Sequence, residues 1–259
     1  SSNESISSYN SSIPTAILIH GHKGHFRDDF SRTVREAFIN NHDVNVFVVD
    51  WAFEAGDPYL QVLKIMTRVA DDLVKFLEIL RNLKDNQNNN DVHLIGFGMG
   101  AHIAGEVGHR LRTIARVARI TGLDPTGRDH EDNYPHLLSS EDAVYVEVIH
   151  TDGGALGFGI GREIGHVDFF VNRGANQPIC LTNSCNHNRA WEVFGASLKY
   201  GHFIGKRCVN MEQVGSNSCE GFSFRMGGAE LLKVPMLPGI YRVNTGREYP
   251  FEADDFIIV

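Results

Sequence analysis

Apolar and polar residues alternate along this chain in blocks that predict strands and helices in turn. Short continuous apolar runs, which are typical of buried parallel strands, occupy residues 15–19, 44–49, 92–95, 118–123 and 144–149. Between the second and third runs, residues 62–80 keep helical spacing behind Asp57 and Pro58, which predict the N-cap and the first helical position. Helical spacing returns at residues 103–111. The pattern predicts an α/β fold, with a mostly parallel sheet covered by helices on both faces.

The same pattern favours one domain behind a short polar segment. Residues 1–13 are rich in Ser and Asn and predict a loop. Residues 14–259 contain no linker-like stretch and no internal repeat, so we expect them to form a single domain. Within them, the Asn-rich stretch 85–91 predicts a solvated connector.

Composition and charge then exclude some classes of protein. The 259 residues are 42% hydrophobic and carry a formal net charge of −8. This acidic balance argues against a nucleic-acid partner, because phosphate backbones call for a basic surface. No apolar run approaches the roughly 18 residues that a membrane span needs. The chain begins at Ser1, which favours a processed chain whose signal peptide has been removed.

Cysteine spacing indicates an oxidising compartment. The four cysteines lie in two close pairs, Cys180 with Cys185 and Cys208 with Cys219. This spacing suits two disulfides that staple loops, and four free buried thiols are the alternative. Neither pair has the second arm of a zinc motif. Sequons at Asn3 and Asn10 favour a glycoprotein, although such tripeptides also occur by chance. We therefore expect a secreted, extracellular protein.

Candidate chemistry falls at three points along the chain. The turn at residues 96–100, between a predicted strand and a predicted helix, has the flanking glycines of a nucleophile elbow, but Gly98 stands at its apex. Asp124 follows a later strand, and His187 comes just after Cys185. Nucleophile, acid and histidine in this order are the chain order of α/β-hydrolases.

These residues and several longer motifs resemble the pancreatic-lipase family, with its insect lipases, phospholipases A1 and yolk-protein relatives. The likeness extends from about residue 14 to residue 251. It is carried by the motifs at 19–21 (IHG), 49–51 (VDW), 100–105 (GAHIAG), 120–125 (ITGLDP), 148–153 (VIHTDG), 165–170 (GHVDFF) and 185–187 (CNH). The resemblance implies an α/β-hydrolase fold in which Asp124 and His187 are the acid and the base. It also implies an oxyanion hole formed by the backbone N–H groups of His22 and Met99.

The sequence departs from the family at the site itself. Gly98 stands where the family has its nucleophilic serine, and His22 stands where the family usually has a bulkier apolar or aromatic residue. Only residues 181–184 separate Cys180 from Cys185, which implies a short lid like that of the phospholipase A1 branch.

Other departures concern metal binding and the ends of the chain. The family's calcium segment corresponds to residues 137–142, where Ser139 replaces an acid, so we expect no metal. The resemblance also implies that no C-terminal β-sandwich domain follows Phe251. The family's opening strands would precede Ser1, and a second chain that supplies them is one hypothesis.

A glycine at the apex has no side chain with which to form an acyl-enzyme, so the sequence predicts a pseudoenzyme. Two other interpretations of Gly98 are an engineered serine-to-glycine substitution and a dinucleotide-binding fingerprint. The fingerprint calls for an acid about 20 residues further on, and residues 117–121 contain none. Without a serine, Asp124 and His187 become structural candidates as well. Three further histidines at family positions are interpreted as packing residues: His102, His150 and His166.

The resulting hypothesis is a secreted, non-catalytic protein that binds or carries an apolar ligand, such as a lipid, a sterol, a carotenoid or a bilin pigment. It needs no cofactor, and Gly98 is expected to make the former acyl groove roomier. The glycine-rich stretch 153–161 is interpreted as a flap over an apolar entrance. The expected ligand contacts are His22, Gly98, Met99, Leu156, Phe158, Ile160 and His187. The alternatives are a yolk-type storage protein, and a phospholipase A1 or triacylglycerol lipase seen as a serine-to-glycine variant.

Overall fold

The computed structural model describes residues 8–83, 89–127, 136–234 and 237–253. The strands are β1 (Thr15–Ile19), β2 (Asn45–Val49), β3 (Val92–Phe97), β4 (Arg119–Leu123), β5 (Tyr145–His150), β6 (Val167–Val171), β7 (Ile204–Cys208), β8 (Ser223–Arg225) and β9 (Gly239–Val243). The α-helices are α1 (Asp29–Asn41), α2 (Ala52–Ala55), α3 (Tyr59–Asn82), α4 (Met99–Leu111), α5 (Asn183–Tyr200) and α6 (Met211–Ser216). Two short 3₁₀ turns occupy Ser140–Asp142 and Asn172–Gly174.

The strands form one nine-stranded sheet in the order β2-β1-β3-β4-β5-β6-β9-β7-β8. Neighbouring strands from β2 to β9 are parallel, whereas β7 runs antiparallel to both β9 and β8. The predicted mostly parallel sheet is therefore confirmed, with an antiparallel edge.

Helices cover both faces of the sheet, because successive side chains of a strand point to opposite faces. On β1, Ile17 and Ile19 pack in one core cluster with α2, α3 and α4. Ala16 and Leu18 pack in a second cluster with α1 and α5. A strand buried on both faces must be apolar at every position, which is the pattern that predicted it.

The predicted helix after Pro58 exists, but its start was misplaced by one residue. Pro58 is the cap residue of α3 rather than its first helical residue, and it makes no side-chain cap hydrogen bond. Pro58 has ψ of 137° and is thus extended, and its carbonyl accepts from Gln61 N. The expected connector 85–91 falls largely outside the described residues, with only its last three positions described.

Both predicted cysteine pairs are disulfides, Cys180–Cys185 and Cys208–Cys219. Of the two sequon asparagines, Asn10 is exposed, and Asn3 lies outside the described residues. The described helices include none that is both long enough and apolar enough to cross a membrane.

Candidate active site

The turn between β3 and α4 has the backbone of a nucleophile elbow. Gly98 adopts φ of 56°, a left-handed conformation that side chains disfavour. Its flanking glycines allow a close approach of backbones. A β-carbon at Gly96 would lie 2.2 Å from Gly100 O, and one at Gly100 would lie 2.1 Å from Ile19 O. The elbow is therefore pressed against the end of β1, as its glycine spacing predicts.

The acid lies at the end of the neighbouring strand, β4. Asp124 is fully buried, and its Oδ1 accepts hydrogen bonds from the backbone N–H groups of Thr151 at 2.8 Å and Asp152 at 2.9 Å. Its Oδ2 lies 2.5 Å from His187 Nδ1. These three partners satisfy the buried carboxylate and fix its orientation toward the histidine.

The base is held on the first turns of α5. The hydroxyl of Thr182 caps this helix by accepting from Cys185 N at 3.2 Å, and the Cys180–Cys185 disulfide ties the same turn to the preceding loop. The His187 ring lies 4.4 Å from the Phe97 ring and 5.8 Å from the Phe158 ring, between centroids. Its Nε2 makes no hydrogen bond to any part of the chain that the structure describes.

Acid, base and elbow converge at Gly98. A β-carbon at this position would lie 3.0 Å from His187 Nε2 and 4.0 Å from Thr126 Cγ2. The free ring nitrogen therefore faces the place where the motif puts a nucleophile. The imidazole borders the space that a side chain at position 98 would fill, and the expectation that Gly98 makes the groove roomier stays a prediction.

The two predicted oxyanion-hole residues have different surroundings. Met99 is the first residue of α4, so its N–H belongs to the group at a helix start that has no intrahelical partner. His22 lies on the loop after β1, and its ring Nε2 is 2.9 Å from Asp57 O. The ring also packs edge-on against Tyr59. The side chain of His22 is thus engaged with the start of α3.

The glycine-rich stretch 153–161 is a loop that packs directly on the acid. A β-carbon at Gly159 would lie 2.4 Å from Asp124 Oδ1, and Phe158 N donates to Asp152 Oδ2 at 2.8 Å. Leu156 and Phe158 are exposed, whereas Ile160 is only 3% exposed. Ile160 N donates to Pro125 O, and the Ile160 side chain is buried, so of these three predicted ligand contacts only Leu156 and Phe158 offer exposed apolar surface.

The short lid joins this loop in one apolar rim. Asn183 Nδ2 donates to Leu156 O at 2.6 Å, which ties the start of α5 to the loop. Two residues earlier, Leu181 is 96% exposed, and Ile179 is exposed as well. We call Leu156, Phe158, Ile179 and Leu181 the apolar rim.

In the segment that corresponds to the family's calcium site, the buried carboxylate is already hydrogen-bonded within the chain. Calcium takes six to eight oxygen ligands. Among the described residues of this segment, Asp142 supplies the one buried carboxylate, and Glu141 is exposed. Asp142 Oδ1 already lies 2.9 Å from His136 Nε2, and its Oδ2 accepts from Ser139 N at 2.8 Å.

The three histidines interpreted as packing residues each form a hydrogen bond with a neighbouring part of the fold. His102 Nδ1 accepts from Leu138 N, and His166 Nδ1 accepts from Val146 N at 3.0 Å. Burial lowers the pKa of His166. His150 pairs with Asp168 at 2.8 Å. All three positions thus serve local structure.

Sequence reasoning missed Phe97 and Asp152 as members of the site. Phe97 is the ring closest to His187 among those described. Asp152 lies beside Asp124, and burial raises the pKa of its carboxyl group, with a further rise from the charge of Asp124. Asp152 lies in the motif at 148–153, directly after a strand, which is a signal that could have identified it.

A parallel sheet covered on both faces, with an elbow, an acid and a histidine in this order, defines an α/β-hydrolase fold. The lipase family model matches residues 1–228. The chain is 32% identical to human pancreatic lipase-related protein 2 over 230 residues, which cover 79% of this chain and 48% of that protein. It is 33% identical to rat phospholipase A1 member A over 263 residues, covering 92% and 56% respectively. The chain belongs to the lipase family, on its pancreatic-lipase side.

The chain spans about half the length of the curated relatives that it matches. Among solved structures, an acetylxylan esterase is similar with a TM-score of 0.39 and 10% identity, over 72% of this chain and 96% of that one. An α/β hydrolase from a deep-sea metagenome library has a TM-score of 0.36 and 17% identity, over 56% and 57%.

Proposed function

We propose that this protein is a catalytically inactive, secreted lipase-like protein that binds an apolar ligand at the former acyl site. The observation that carries the proposal is Gly98. The acid and the base are in place around it, but the apex offers no oxygen or sulfur atom that can attack an ester. Without a nucleophile, an acyl-enzyme cannot form, and only a residual acceleration of about 10³–10⁴ over water is expected to survive in such a site.

The apolar rim supports binding at this place. The four large apolar side chains of the rim are exposed to solvent and lie on the two segments that the hydrogen bond of Asn183 joins beside the base, and exposed apolar surface is typical of ligand or lipid contacts. The Phe97 and Phe158 rings flank the imidazole of His187. An apolar ligand would lie against these rings and the rim.

The free Nε2 of His187 supports a ligand with one polar end. Apolar sites typically fix the orientation of a ligand through a few polar groups. A lipid, a sterol, a carotenoid and a bilin pigment each combine an apolar body with at least a few polar atoms or a polarisable conjugated chain. The two disulfides support secretion, because such bonds persist in oxidising compartments.

The first test is an inventory of what accompanies the native protein from its source. Mass spectrometry under native conditions and an absorption spectrum should reveal one small apolar molecule per chain, with a visible band if it is a pigment. The matched variants Leu181→Asp and Val209→Asp both add a charge at an exposed apolar position, but only Leu181 belongs to the rim. We expect the ligand to be depleted from the first variant only.

A protein that carries no small molecule, and takes up none from a panel of fatty acids, sterols and carotenoids, would overturn the binding proposal. That result would favour the storage role. Equal depletion from the Leu181→Asp and Val209→Asp variants would show that the ligand binds elsewhere.

The assembled Asp124–His187 pair specifically favours a second candidate, a lipase or phospholipase A1 seen as a serine-to-glycine variant. The test is Gly98→Ser, with Gly98→Ala as the control that adds a β-carbon and no hydroxyl. A variant hydrolase should gain hydrolysis of a short-chain ester or a phospholipid in the serine form alone, and His187→Ala in that background should remove it. Ester hydrolysis by the unchanged protein that depends on His187 would contradict the proposed inactivity.

A further inference from the structure

A second cluster of titratable side chains lies at the far end of the elbow helix. His109 is in the last turn of α4, and His136 and Asp142 lie on the chain between β4 and β5. The candidate ligand atoms of these three residues all lie within 4.8 Å of one another. Ten residues of helix separate His109 from Met99, so the cluster is roughly 15 Å from the elbow along the helix axis.

Two glycines of α4 bring the three residues together. A β-carbon at Gly108 would lie 2.2 Å from Asp142 O, and one at Gly105 would lie 3.1 Å from Asp142 Oδ2. The segment that carries Asp142 therefore packs against the bare backbone of the helix. This contact holds the carboxylate next to the following helical residue, His109.

Hydrogen bonding accounts for only part of the cluster. His136 Nε2 lies 2.9 Å from Asp142 Oδ1, which is a hydrogen bond. His109 Nδ1 lies 3.7 Å from the same oxygen, which is too far for one. The two rings are nonetheless 4.1 Å apart between centroids. Two imidazoles therefore converge on one buried carboxylate oxygen.

We propose that His109, His136 and Asp142 bind Zn²⁺. Zinc bonds to His nitrogen and carboxylate oxygen are about 2.0–2.2 Å long, so ligand atoms around a tetrahedral ion lie about 3.3 Å apart. The present separations of 2.9 and 3.7 Å lie on either side of that value. Two nitrogens and one oxygen suit zinc better than calcium, and water would complete the coordination. This ion differs from the calcium that the family resemblance brings to the same segment.

Neighbouring cations oppose the ion. Arg116 donates to the carbonyls of Glu141 and Ala143, on either side of Asp142, and Arg112 contacts a proposed ligand directly. Arg112 Nη1 lies 2.9 Å from His109 Nδ1 in the present arrangement. The Arg112 side chain is exposed, so it can swing away into solvent. Its positive charge near the ion should nevertheless weaken zinc binding. Removal of Arg112 is therefore expected to tighten binding, whereas removal of either histidine is expected to weaken it.

The test is isothermal titration of the untagged, EDTA-dialysed full chain with ZnCl₂. We expect one zinc per chain, and His109→Ala and His136→Ala should each weaken binding by about tenfold or more. Arg112→Ala should tighten it. His25→Ala, which removes an exposed histidine outside the cluster, is the control and should change nothing. A parallel titration with CaCl₂ should give no heat that depends on His109 or His136.

Circular dichroism checks that each variant is folded. We expect both histidine variants to fold, because both histidine side chains are partly exposed. Absence of zinc binding to the unchanged chain would overturn the proposal. So would zinc binding that both histidine variants retain at full strength, since the ion would then lie elsewhere.

Discussion

Two aspartate–histidine pairs of this protein have the same chemistry and different surroundings. In the Asp168–His150 pair, Nε2 of the ring is 2.8 Å from the carboxylate, and Nδ1 is 2.8 Å from Ile160 O. The ring is fully buried and stacks on Phe170. In the Asp124–His187 pair, only Nδ1 is bonded within the described chain, and the side chain is 14% exposed.

The difference separates a pair that is fully bonded within the fold from one that keeps a ring nitrogen available to a ligand. A buried aspartate that orients a histidine is common to both pairs, so the pair by itself does not indicate catalysis. What distinguishes Asp124–His187 is the ring nitrogen left over, which faces Gly98 and solvent. The same nitrogen would act as a base if a serine stood opposite, and on the proposed function it would be a polar contact for the ligand.

The largest expected effect comes from removing each histidine in turn. His150→Ala should lower the free energy of unfolding by about 3–5 kcal/mol, because it leaves the buried carboxylate of Asp168 with only the backbone N–H groups of Ile164 and Gly165. His187→Ala should cost only about 1 kcal/mol, because one side of this ring is open and water can replace it beside Asp124. Urea unfolding of the two variants measures both values. Equal losses in the free energy of unfolding would show that the two pairs contribute equally to stability, and would contradict the comparison.

A smaller effect is expected at the apex. Gly98→Ala should lower the free energy of unfolding by about 1–2 kcal/mol, because alanine is disfavoured at a φ of 56°. Its β-carbon would also press on His187 at 3.0 Å. Gly215→Ala is a suitable control, since that glycine lies within α6 and a β-carbon there meets no atom within 4 Å. Thermal melts of both variants would test the prediction, and an unchanged Gly98→Ala protein would contradict it.

The smallest effect concerns pH. Burial raises the pKa of Asp152 in the folded protein, so the folded state holds its proton to a higher pH than the unfolded chain does. Stability should therefore fall as pH rises from the unfolded pKa of about 3.9 through the raised value. Asp152→Asn should remove this fall and stabilise the protein at pH 7 by less than about 1 kcal/mol. Urea unfolding between pH 4 and pH 7 measures the difference, and an identical pH profile in the variant would refute the assignment.

The sequence predicted those parts of the fold whose signals are local. An unbroken apolar run predicts a strand such as β1. The spacing of Gly96, Gly98 and Gly100 predicts the elbow. The placement of β9 between β6 and β7 has no local signal, because it depends on pairing between distant segments. Helix α1 was not predicted either, although Asp28 is a suitable cap and accepts from Ser31 N.

The site was predictable as a set of residues and not as an arrangement. Asp124 and His187 follow from motifs, but the bonding state of His187 Nε2 does not. A buried ion pair outside the site could not be predicted from the sequence either. Lys233 Nζ lies 2.5 Å from Glu147 Oε2, although the two residues are 86 positions apart. Burial lowers the pKa of Lys233 to about 8. Local patterns carry no information on such pairings, which depend on the finished sheet.

On the proposed function, the loop between Cys180 and Cys185 would not gate the exchange of a ligand. It has only four residues, its two ends are joined covalently, and Thr182 is already committed to capping α5. A segment held in this way has no swing of its own, so entry and departure of a ligand would not wait for a gate to open. The residence time of the ligand would then be set by its dissociation rate from the rim and the rings alone. If the proposed function holds, the protein would equilibrate with its surroundings and release the ligand when the free ligand concentration falls.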